Sequence, residues 1–162
     1  MSWGSAVRTA IVCLILIMLH YTLRPLLGWR ASIDFLLIAL VFGAVRVRPA
    51  GAAVYGFILG IAADSLALGA FGAGALAATI VGYGASYMKA VFFADNLALN
   101  GFFLFAGKWL FEFVYVLMER RMQGMEILMH IVVWAPIAAA VTAVAGVVAV
   151  TVLRPILEVR TA

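Results

Sequence analysis

Three ionisable side chains stand in surroundings that hold almost none. Asp64 is the only charged residue between Arg48 and Lys89. Lys108 and Glu112 interrupt a run, Leu97 to Met118, that is otherwise apolar, aromatic or small. Groups of this kind are costly inside a membrane and mark function or an internal partner. Lys108, Glu112, Tyr115 and Glu119 recur at i, i+4, i+7 and i+11, one face of a helix, and the first two can neutralise each other within it. That face reads either as a neutralised structural pair or as a polar stripe that meets another subunit. His20 and His130 lie far apart with no ligand spacing, and each reads as an interfacial or core histidine. The single Cys13 excludes an internal disulfide and a cysteine-based metal cluster. There is no His-Glu-x-x-His, no Gly-x-Ser-x-Gly and no phosphate-binding Walker loop. The nearest approach to an intramembrane Gly-x-Gly-Asp protease motif is GIAAD at 60–64, which lacks the second glycine. The expectation is a non-enzyme with no cofactor and no metal.

The composition says where such residues must sit. Of 162 residues, 67% are hydrophobic and 11% charged, against roughly 25% charged in a soluble domain. That excludes a soluble globular domain, a disordered chain and a nucleic-acid binder. The net charge of +4 reads as loop bias in a membrane protein. At about 20 apolar residues per transmembrane helix plus minimal loops, the length suits five or six helices. The expected fold is an all-α integral membrane protein. It is a single polytopic domain, residues 1–162, forming a compact bundle of six transmembrane helices or five plus a re-entrant segment.

The elements follow from the apolar runs. Arg8 and Arg24 bracket the first span, with Pro25 and Gly28 making a compact turn. The second is Ser32 to Val45, with Asp34 near its start, where a helix N-terminus favours an acid. Arg46 to Pro49 form a tight basic loop. The third and fourth spans are Ala50 to Ser65 and Gly72 to Met88, split at LALGAFG, where Gly69, Gly72 and Gly74 permit a tight or re-entrant turn. The fifth is Leu97 to Met118. The sixth starts after Gly124 and runs to Leu153, with a kink expected at Pro136. Trp3, Trp29, Phe92, Phe93, Trp109 and Trp134 fit interfacial belts. Arg8, Arg46, Arg48, Lys89, Arg154 and Arg160 then fall on one side. The smaller set, Arg24, Arg30, Arg120 and Arg121, falls on the other, which puts both termini in the cytoplasm.

Small residues supply the packing signal. Ala52, Gly56 and Gly60 step by four, as do Ala78, Gly82 and Ser86, a spacing that lets helix backbones approach closely. The third and fourth spans can use it on each other, or a partner's helix can. Asp64 continues the first stripe by one turn and should face protein. It reads as an intramembrane functional group or as a cap, with Ser65, on free backbone N–H groups at the turn.

Residues 56–83, GFILGIAADSLALGAFGAGALAATIVGY, resemble the signature of the MreD family of rod-shape-determining proteins. The matching positions are Gly56, Gly60, Asp64, Gly72, Leu76 and Tyr83. Pro49 in the preceding loop and the Asn-Leu-Ala-Leu stretch at 96–99 agree with it, and the likeness extends over almost the whole chain. Members commonly carry Arg-Pro just before the second span; here Arg24-Pro25 falls earlier, so no role carries over to Arg30. The resemblance implies a multi-pass inner-membrane protein without enzymatic activity. It implies a fold like the substrate-binding membrane subunits of energy-coupling-factor transporters. It also implies a scaffold role in the cell-elongation complex. There the main partner is MreC, and RodZ, the MreB filament, RodA and its penicillin-binding transpeptidase belong to the larger assembly that makes peptidoglycan. Ala52, Gly56, Gly60, Asp64, Lys108, Glu112 and Tyr115 are the partner-contact candidates, beside membrane lipid. Gly69, Gly72, Leu76, Gly82 and Tyr83 are the turn and packing candidates. The alternative is the substrate-binding subunit of a vitamin transporter. It fits less well, because on the first helix an Ala-x-x-x-Ala docking pattern appears only at Ala6 and Ala10, straddling Arg8.

Overall fold

The computed structural model describes residues 3–27, 33–66, 71–89, 97–119 and 124–157. Every regular element among them is helical: α1 (Trp3–Leu27), α2 (Phe35–Ala44), α3 (Pro49–Leu66), α4 (Ala73–Tyr87), α5 (Leu97–Glu119), α6 (Met125–Met129) and α7 (Ala135–Leu157), the last two joined by a π-helical turn, His130–Trp134. Counting α6 through α7 as one path gives six helices among the described residues. Three stretches of these residues are long and apolar enough to cross a membrane: Pro49–Leu66, Leu97–Glu119 and Met125–Val152. The readings at Gly28, Trp29, Arg30, Gly69, Phe92, Phe93, Arg120, Arg121 and Arg160 fall outside the described residues.

The short α2 organises the bundle. Its sequence, FLLIALVFGA, is apolar all round, the pattern of a helix buried on every side. Leu36 to Ala44 are all buried, and α1, α3, α4, α5 and α7 all touch it. Leu37, Leu40 and Val41 pack with Leu59, Val81 and Leu104, while Ile38, Ala39 and Phe42 pack with Val12, Cys13 and Leu16 on the opposite face. The second span is therefore shorter than Ser32 to Val45. Ten residues rise only ~15 Å, about half the ~30 Å of the hydrocarbon layer. Asp34 is the reason it starts late: it is the N-cap, with Oδ1 accepting the Leu37 N–H at 3.1 Å. The first helix departs from expectation in the other direction. α1 continues through Pro25 to Leu27. The missing proline N–H removes one bond in the final turn, which leaves the rest of the helix intact.

α3 and α4 form an antiparallel hairpin along the small-residue stripes. A Cβ on Gly56 would collide with the Ala78 carbonyl, one on Gly60 with the Ala75 backbone, and one on Gly82 would stand 2.7 Å from the Ala52 carbonyl oxygen. The intramolecular use of the stripes is the one this fold adopts. Gly72, at φ +98°, makes the turn into α4, a conformation that favours glycine. The far end of the hairpin is tied to the loop after α2 by Ser86, whose hydroxyl donates to the Val47 carbonyl at 2.7 Å.

The irregularity expected at Pro136 takes the form of the π turn just before it. The Ala135 N–H bonds the His130 carbonyl, a five-residue step. Continued by one residue, this register would bond residue 136 to the Ile131 carbonyl, and proline has no N–H to give. Trp109 Nε1 on α5 donates to that carbonyl instead, at 3.1 Å. The π turn is thereby fastened to α5.

Candidate functional site

A chain of ionisable groups crosses the interior of the bundle. Lys108 Nζ on α5 donates to Asp34 Oδ2 at 2.7 Å and to Glu112 Oε1 at 2.6 Å. His20 Nδ1 on α1 accepts the Leu36 N–H at 3.4 Å and lies 3.4 Å from Asp34 Oδ1. At the other end His130 Nε2, in the π turn, lies 3.2 Å from Glu112 Oε2. The Asp34 backbone N–H donates to Thr142 Oγ1 of α7 at 3.2 Å. One network therefore joins α1, α2, α5, the π turn and α7. His20, Asp34 and Lys108 are all buried, and burying a charge without partners would cost several kcal/mol.

Each member is placed by local sequence logic. Asp34 is a helix N-cap, so its carboxylate is already fixed by α2. Lys108 and Glu112 are one turn apart on α5 and face the same way. Lys108 also lies 5.2 Å from the centre of the Phe111 ring, a cation–π contact. His130 is turned toward Glu112 by the π turn that precedes Pro136. The expected Lys108–Glu112 pair is present, and it has a third charged member that sequence spacing did not supply.

Asp64 occupies the opposite wall. Its Oδ2 accepts the Gly72 N–H at 2.8 Å and the Ala75 N–H at 3.1 Å. It thus caps the free N-terminus of α4 from the end of α3, the capping alternative of the sequence reading. Ser65 does not share the task; its hydroxyl donates to the Ala62 carbonyl within α3. Asp64→Ala removes both bonds, and the expected cost is about 1–2 kcal/mol. Asp64→Asn should keep most of the stability, because an amide oxygen also accepts. Thermal unfolding of the two variants in detergent checks the order.

Between the walls lies a cavity of about 340 Å³, lined by His20, Asp34, Lys108 and Glu112 of the network and by Asp64, Tyr21, Phe111 and Tyr115, with Gly60, Ala63 and Gly74 leaving the space open. It sits where α1, α3 and α5 end and α2 and α4 begin. Of the expected contact residues, Gly60, Asp64, Lys108, Glu112 and Tyr115 meet here. Ala52 and Gly56 do not; they lie against α4 further down the hairpin. Gly72 lies in the turn before α4 and Gly82 lies against the Ala52 carbonyl of α3. Leu76 and Tyr83 stand apart from these. They are 42% and 50% exposed and point outward from α4, because the small residues Ala75, Ala78 and Gly82 occupy its inner face.

Sequence reasoning missed Asp34, His20 and His130 as members of the site. Asp34 was legible as a helix-start acid, but its cation, Lys108, stands 74 positions away on another helix. The histidines read as isolated because their partners stand on other helices.

No curated protein and no solved structure matches the chain. A family model for the rod shape-determining protein MreD matches residues 5–159, nearly the whole length and every helix described above. With its membrane-capable helices and the Gly56, Gly60, Asp64 and Gly72 geometry in place, the chain belongs to the MreD family and is a membrane protein with a role in rod shape determination.

Proposed function

We propose that this chain is a scaffold subunit of the cell-elongation complex in the bacterial inner membrane, with no catalytic activity of its own, and that it binds MreC by helix packing. Through MreC it helps couple MreB filaments and RodZ to RodA and its penicillin-binding transpeptidase, and so to peptidoglycan synthesis. The reading takes the chain as one transmembrane domain, built like the substrate-binding subunits of energy-coupling-factor transporters. Both termini are cytoplasmic on the loop-charge bias, which turns the cavity toward the outer face.

One observation carries the contact surface. Leu76 and Tyr83 belong to the signature stretch, yet neither packs inside the bundle. With Ile80 and Tyr87 they form a continuous outward stripe at i, i+4, i+7 and i+11, all at least 40% exposed. Tyr83 and Tyr87 stack with ring centroids 6.4 Å apart. A Cβ on neighbouring Gly84 would meet nothing within 4 Å, so a second helix can approach closely there. The small-residue stripe of α3, by contrast, is already filled by α4. Tyr83→Ala with Leu76→Ala is expected to lower co-purification of MreC about tenfold, equivalent to losing roughly 1.4 kcal/mol. Phe57→Ala, on the exposed face of α3, should leave it unchanged. Equal recovery of MreC with all three proteins would refute this surface, and failure of the wild type to recover MreC would refute the scaffold reading.

A further inference from the structure

The cavity holds a carboxylate oxygen that nothing among the described residues uses. Both N–H bonds to Asp64 converge on Oδ2. Oδ1 accepts no hydrogen bond among the described residues, although Asp64 is only 7% exposed. It lies beside Gly74, where any side chain would strike it. In the network across the cavity, by contrast, every carboxylate oxygen is engaged. Asp34 Oδ1 faces Leu37 N–H and His20, its Oδ2 takes Lys108, and the two oxygens of Glu112 take Lys108 and His130.

The charge of the lining points the same way. Asp34, Asp64 and Glu112 face one lysine, with His20 lining the space and His130 reaching Glu112 from outside it. Low-dielectric walls focus such a negative field and favour a cation inside. A polar cavity of this size does not stay empty: it takes water or a polar ligand. Among the described residues no group of three His, Cys, Asp or Glu could hold a metal ion. Aromatic residues line it instead, Tyr21, Phe111 and Tyr115, and aromatic surroundings suit an organic cation. The volume fits a few non-hydrogen atoms beside the existing side chains, near the lower end for small-molecule sites.

We propose that this cavity binds a primary ammonium group, which donates to Asp64 Oδ1 and is flanked by the tyrosine and phenylalanine rings. The ammonium belongs to a small free amine or to the headgroup of an aminophospholipid entering from the bundle's open end. Its N–H donors satisfy the unused acceptor, and its charge offsets the excess of carboxylates. The proposal is independent of the MreC contact, which lies on the outer face of α4.

The full chain in lipid nanodiscs tests it. Two probes separate the sources: ethanolamine titrated into phosphatidylglycerol nanodiscs, and nanodiscs containing phosphatidylethanolamine, with retained lipid read by native mass spectrometry. The wild type should be thermally stabilised by ethanolamine or should preferentially retain phosphatidylethanolamine. Whichever occurs names the source. Asp64→Asn, which keeps the cap but removes the charge, should weaken that binding at least tenfold. Ala63→Leu, which fills the cavity and leaves Asp64 in place, should do the same and guards against a misfolded Asp64 variant. No response to ethanolamine together with equal retention of the two lipids, or undiminished binding in either variant, would overturn the proposal.

Discussion

Lys108→Met should destabilise the protein more than any other single change in the network. The lysine serves two carboxylates at once, at 2.7 and 2.6 Å. Removing it leaves Asp34 and Glu112 buried without their shared cation, and breaking a buried ion pair from one side costs about 3–5 kcal/mol. That is a large fraction of the roughly 5–15 kcal/mol that holds a typical domain together. The expected result is poor accumulation in membranes and an early, broad melting transition in detergent. The informative comparison is the triple variant Lys108→Met, Asp34→Asn, Glu112→Gln. It removes all three charges, while the asparagine amide oxygen can still cap α2. Replacing a whole buried charge set is often neutral or stabilising, so the triple variant should recover most of the lost stability. If Lys108→Met alone melts like the wild type, the network is solvated and does not hold the helices together.

The second large effect is at the hairpin. Gly60→Leu must push its side chain into the Ala75 backbone, which cannot rotate away as a side chain could. Overpacking of this kind costs about 3 kcal/mol at the upper end of its usual range, and here it separates α3 from α4 along the stripe. It also moves Asp64, one turn further on, off the N–H groups of Gly72 and Ala75. The sign test uses alanine. In a helix interior Gly→Ala normally stabilises by up to about 1 kcal/mol. Gly84→Ala, with open space around it, should follow that rule, whereas Gly60→Ala should lower the melting temperature. Equal gains at both positions would mean that the hairpin is looser than its contacts imply.

Much of this molecule is legible in its sequence. Low charge and long apolar runs identify a membrane bundle. The bounds of α3, α4 and α5 follow from the breaks at Pro49, Gly72, Leu97 and Glu119. The i, i+4 spacing gives the Lys108–Glu112 pair, and the glycine stripe ending at Asp64 gives a close-packed face with a polar terminus. These are local facts, set by helical periodicity and by turn chemistry, and a single strand of sequence contains them.

What the tertiary structure decided is which face meets which. Spacing shows that Gly56 and Gly60 share a side of α3 but not that α4, rather than another protein, fills it. It shows that Tyr83 recurs with Leu76 but not that both point outward. Most of all, it cannot pair Asp34 with Lys108, which is 74 positions away, or bring His20 and His130 to the two ends of one polar chain. Inside a membrane the cost of burying a charge depends on its neighbours in space. The residues that settle that cost here are contributed by helices that only the assembled bundle brings together.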